Sequence, residues 1–119
     1  MHNYKELQVY QRSLALAKEV VVFSKDKQPY SLSRQIVRSA ISIPSNISEG
    51  AERTSHKEFA RFLSISLGSA AELGTQLEIG RSVWNQPEEL LFIEEKQSEL
   101  TEIPAMIRGL INKVSQSIP

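Results

Sequence analysis

The chain has no cysteine, so neither a disulfide framework nor thiolate chemistry is available to it. Aromatic residues make up only 7% of the 119 positions, and no platform for stacking single-stranded bases stands out. The five glycines are dispersed; none opens a glycine-rich loop behind a strand pattern, which removes the phosphate-cradling signatures. There are two histidines, His2 and His56. A di-metal bundle site wants Glu-x-x-His on two helices and a glutamate from each of the other two. His56 instead lies four residues after Glu52, and the glutamates of the last third have no matching ligands, so neither a metal nor another cofactor is expected. The many serines lack a His–acid pair, and no catalytic constellation emerges. The expectation is a protein that is not an enzyme.

Long apolar runs are also missing. None approaches the ~18 residues of a membrane span, and the opening MHNYKELQVYQRS is too polar for a signal peptide. A cytoplasmic protein with no membrane partner is expected. Nor does one sign of charge dominate: 14 Lys and Arg balance 14 Asp and Glu, so no global field steers the molecule to nucleic acid or membrane. The balance hides an asymmetry. Residues 1–61 hold ten basic and six acidic side chains; residues 62–119 hold four and eight. That pattern describes either a basic and an acidic face or helices that pair by charge.

What is present is helical periodicity. The length suits one domain, 1–119, with a core that removes very roughly two thirds of the unfolded surface from water. Leu7, Tyr10, Leu14, Ala17 and Val21 step by three and four and predict a helix from about Lys5 to Ser24. SKDKQPYS reads as a loop. A second helix starts near Ser31, its main stripe being Leu32, Ile36, Ala40, Ile43 and Ile47, with Val37 and Ile41 beside it. Pro44 interrupts this helix chemically, since it removes one hydrogen bond and clashes with the carbonyl of Ala40. Ile47 keeps the stripe in phase, which favours a kink over a break, with Ser39, Ser42, Ser45 and Ser48 near the freed carbonyls. Gly50 suits the left-handed position that ends a helix. Ser55 and Glu58 have capping-box spacing and start a third helix near His56. Its stripe runs Phe59, Leu63, Ser66, Ala70, Leu73, Leu77, Gly80 and Trp84, and Gly68, Gly74 and Gly80 suggest close helix approach. Asn85 with Glu88 predicts the next start, Pro87 falling in the first turn. The fourth helix carries Ile93, Leu100, Ile103, Ile107, Leu110 and Val114, bent at Pro104. Four helices with short connections predict an all-α fold, an antiparallel up-and-down four-helix bundle.

Three groups of residues invite a role. Asn46, Glu49 and Glu72 look inward-facing, and a buried carboxylate needs a cation or several donors. Arg38 is the expected partner of Glu72, and Arg53 or backbone amides that of Glu49. They form either a structural polar network or a polar pocket. Arg53, Lys57 and Arg61 recur every four residues and make a basic ridge about 12 Å long; Arg34 and Arg38 make a shorter pair. They are candidate phosphate contacts, although Glu52 and Glu58 flank the ridge. Val37, Ile41, Phe62, Ile65 and Ile79 form second apolar stripes, which mark either wide core faces or a surface for self-association.

The run RSAISIPSNISEGAER (38–53), followed by SHKEFARFLSISLGSAAEL (55–73), resembles the four-helix-bundle family encoded in intervening sequences of bacterial 23S ribosomal RNA genes. The opening Tyr4-Lys5-Glu6-Leu7 and Val9-Tyr10 fit the family's usual start, while the fourth helix matches only in pattern. The resemblance carries over Asn46, Glu49, Gly50, Arg53, Phe59, Phe62, Leu63, Gly68, Ser69, Glu72 and Leu73. It implies an up-and-down bundle that forms homopentamers and has no established enzymatic activity. The family is similar to the accessory variability protein of diversity-generating retroelements, a basic pentameric bundle that binds nucleic acid and reverse transcriptase. RNA is therefore an implied partner, against which the zero net charge of this chain stands. The combined expectation is a homo-oligomeric scaffold or interaction module. The alternative is an RNA-binding protein whose basic surface forms across subunits.

Overall fold

Each apolar stripe becomes one helix of the computed structural model, which describes residues 3–119; His2 lies outside the described residues. A short 3-10 turn, Tyr4–Glu6, precedes α1 (Gln8–Ser24), α2 (Tyr30–Ala51), α3 (His56–Gly80) and α4 (Pro87–Ser115). Among the described residues there is no strand. The helices pack in cyclic order, each on its sequence neighbours, and α4 returns to α1. The first helix starts later than expected, because extended Leu7 separates it from the turn, which Asn3 caps through Lys5 N.

The core follows the predicted stripes of α2, α3 and α4, but α1 is turned by about one residue. It buries Val9, Leu16, Ala17 and Val20, while Leu7, Tyr10 and Leu14 of the expected stripe are half-buried and Val21 is exposed. The run of apolar residues along this helix is wide enough to offer two phases. Leu16, Val20, Ile36, Ile43, Ile47, Phe59, Leu63, Leu73, Leu77, Ile93, Ile103 and Ile107 are fully buried. α2 runs continuously through Pro44. Across the α2–α3 contact the buried Ser66 hydroxyl donates to the Ile43 carbonyl at 2.8 Å. A second polar link lies nearby: Asn46 Nδ2 donates to the Ser42 carbonyl and hydroxyl, and the Ser42 and Ser69 hydroxyls are 2.7 Å apart. Asn46 thus takes part in a network, with serines as its partners.

The glycines depart from expectation in an instructive way. No glycine has positive φ, and α2 continues past Gly50 to Ala51. Gly50 is not a cap. It is a contact point with α3, where an added Cβ would come 2.7 Å from Phe62 Cβ and 3.0 Å from Phe59 Cδ1. Gly80 is similarly tight against Trp84, whereas Gly68 and Gly74 have nothing within 4 Å; close approach does not explain those two. Ser55 caps α3 as predicted, its hydroxyl accepting from Glu58 N at 3.1 Å. The cap of α4 is shifted by one residue from Asn85 to Gln86, where the Glu89 side chain accepts from Gln86 N. Trp84 lies beyond the end of α3, yet it is buried, and its indole N–H donates to the Gln28 carbonyl at 2.9 Å.

Candidate interaction surfaces

The α1–α4 seam is held by charge as well as by apolar packing. Lys96 sits on the inner face of α4 and is only 3% exposed. Its ammonium donates to Glu19 of α1 at 2.6 Å and to Glu99 at 2.7 Å. Lys27 pairs with Glu89 at 2.6 Å, and Arg12 with Glu102 at 2.9 Å. Phe23 and Phe92 stack between them with centroids 4.0 Å apart. The sequence alone does not reveal the link between α1 and α4, because Lys96 falls on the apolar stripe and its partner Glu19 is 77 residues away.

Burial pushes the Lys96 ammonium down, but the bonds to Glu19 and Glu99 outweigh it and leave its pKa above the ordinary lysine value. That contribution is present below the unfolded lysine range and lost as pH rises through the folded pKa. Lys96→Ala removes a packed stem and its bonds and is expected to cost about 2 kcal/mol; Lys96→Met keeps the volume and is expected to stay within about 1 kcal/mol of wild type. Urea denaturation at neutral pH distinguishes the two. Glu89 is held below the usual carboxylate range, first by its bond to Lys27 and then by the Gln86 amide. Stability is therefore present above the unfolded glutamate pKa of about 4.3 and falls as pH drops through the folded value. Glu89→Gln should flatten this acid-side loss, read from denaturation midpoints between pH 6 and 3.

The predicted sites fare unevenly. Glu49 and Arg53 pair as expected, but both are exposed. Glu72 is exposed, not buried, and forms no ion pair with Arg38. Its position on α3 falls off the stripe of Ala70, Leu73 and Leu77. Glu72, Gln76, Arg34 and Arg38 instead line one open polar groove between α2 and α3. The basic ridge is largely neutralised: Arg53 pairs with Glu49 and Arg61 with Glu58. Both guanidiniums lie over the Phe62 ring, at 4.8 and 4.5 Å. The bond to Arg61 holds Glu58 below its ordinary pKa. Lys57 and Arg34 are exposed and join no ion pair. Among the described residues no group of three or more His, Asp and Glu side chains is placed to hold a metal ion, and no helix is long and apolar enough to cross a membrane.

The apolar second stripes do remain at the surface. Ile41, Ile65 and Ile79 are exposed, and Val37 and Phe62 are half-buried. A groove of about 420 Å³ runs between α1 and α2, lined by Tyr10, Leu14, Ala17, Val21, Val22, Ile41 and Pro44, with Lys18 beside it.

Fold and surface together define an antiparallel four-helix-bundle protein whose distinguishing features are apolar and charged faces. The chain belongs to the 23S rRNA-intervening sequence protein family, whose model matches residues 5–109. It is similar to a crystal structure of a protein of unknown function from the S23 ribosomal protein family of Bacteroides thetaiotaomicron. The two share 29% identity over 87% of this chain and 97% of the other, with a TM-score of 0.77. No curated protein matches the chain.

Proposed function

We propose that this protein is a non-enzymatic, cytoplasmic, homo-oligomeric bundle that serves as a scaffold or interaction module. The observation that carries it is the apolar groove between α1 and α2, where Val22 stays 75% exposed. Contiguous apolar surface is costly to leave in water and marks a partner face. A pentamer, as the family resemblance implies, would cover it repeatedly. Small-angle scattering tests this. One copy measures 51 × 21 × 20 Å with a radius of gyration of 14.9 Å; the oligomer should give a clearly larger value, and a value near that of one copy would contradict it.

The second reading is RNA binding. Arg34 and Lys57, exposed and outside any ion pair, support it, and Arg53 and Arg61 would join only by exchanging Glu49 and Glu58 for phosphate. Titration with a structured RNA at two salt concentrations separates the readings. Affinity that falls steeply with salt favours phosphate contacts; no saturable binding at low salt favours the scaffold.

A further inference from the structure

Among the described residues, the exposed large hydrophobics are concentrated at one end of the bundle. Val21, Val22, Tyr30, Ile79, Val83 and Leu91 all lie there, against three elsewhere. It is the end where α1 and α3 finish and α2 and α4 begin. Two of these side chains are the most exposed of the set, Val22 on α1 at 75% and Leu91 on α4 at 58%. They sit at nearly the same height, because their neighbours Phe23 and Phe92 stack on each other.

Their flanks are complementary. Val22 has Lys18 four residues before it and Lys25 three after; Leu91 has Glu88 three before and Glu95 four after. All four charges are exposed and outside any ion pair. Glu88, Leu91 and Glu95 form one strip along α4, and Lys18 and Val22 form one along α1, which Lys25 extends as the first residue past the helix end. The two helices run in opposite directions within a bundle. When two bundles stand side by side and point the same way, α1 of one is antiparallel to α4 of the other. The spacings then coincide: Lys18 faces Glu95, Val22 faces Leu91, and Lys25 faces Glu88.

We propose that the α1 strip centred on Val22 docks against the α4 strip centred on Leu91 of a second copy of this chain. The pairing rests on the oligomer reading above and adds which faces meet and in which direction. It also gives the opposite net charges of the two halves of the chain a purpose: each copy offers a basic strip to one neighbour and an acidic strip to another. An interface of this kind selects orientation through charge and gains affinity from its apolar centre.

Two surface variants test it by sedimentation velocity at micromolar concentration, with circular dichroism confirming the fold. Val22→Asp and Leu91→Asp should each reduce the particle to the 13.4 kDa chain, since each removes one side of every contact. An equimolar mixture should then recover a species of twice the chain mass, through the one intact pairing of Val22 with Leu91. The charge exchange gives a second arm: Lys18→Glu should weaken assembly and mixing it with Glu95→Lys should restore it. If the wild-type chain is oligomeric but Leu91→Asp assembles normally, or if the mixture stays monomeric, this pairing is overturned and the oligomer reading stands. A monomeric wild type overturns both.

Discussion

Phe59→Ala is expected to destabilise the bundle by about 3–5 kcal/mol, the range for emptying a buried aromatic site. Phe59 is fully buried on the first turn of α3. Its ring lies directly beneath Gly50 of α2, so the void would open between two continuous helices that cannot collapse into it without shifting. Against a total stability of about 5–15 kcal/mol for a domain of this kind, the loss should appear as a large drop in the urea midpoint with little change in slope.

Gly50→Leu is expected to cost about 3 kcal/mol from the opposite direction, by overfilling the same contact. The atom it strikes first is Phe62 Cβ at 2.7 Å, which is fixed to the α3 backbone and cannot swing aside. Gly50→Ala already makes that clash, and its helix-propensity gain of about 1 kcal/mol should not offset it. Gly109→Ala is the control. It also lies within a helix, but nothing stands within 4 Å, so it should raise stability by up to about 1 kcal/mol. Opposite signs for the same chemical change, read by thermal melts, would separate close approach from helix propensity.

Local signals were readable where local physics decides the outcome. The Ser55 cap, the helical periods of α2, α3 and α4 and the passage of α2 through Pro44 each depend on residues within a turn or two, whereas the buried face of α1 is chosen by its neighbours from two apolar phases. The shift from Asn85 to Gln86 is a one-residue choice between two spacings, Asn85–Glu88 and Gln86–Glu89, and the salt bridge from Lys27 favours the second. No local signal marks Lys27 as that partner. Gly50 misled because glycine serves both as a left-handed cap and as a thin spot for packing, and the opposing Phe62 is distant in sequence. Glu72 misled because its apolar neighbours suggested burial while its phase placed it outside. Lys96 went unnoticed for the converse reason: an inward phase is normally filled by an apolar residue, and although Glu99 is one turn away on α4, its other anchor, Glu19 on α1, becomes a neighbour only when the bundle closes. The candidate surface was legible in part. The second stripes announced spare apolar area, but the matching of Lys18, Val22 and Lys25 with Glu95, Leu91 and Glu88 requires the relative heights of α1 and α4.

The proposed assembly requires helices that close on themselves and still leave apolar surface for other copies to cover. Sedimentation equilibrium of the wild-type chain through the micromolar range measures this most directly. The mass should be several times 13.4 kDa and should fall on dilution; a mass fixed at 13.4 kDa across the range would rule out self-association.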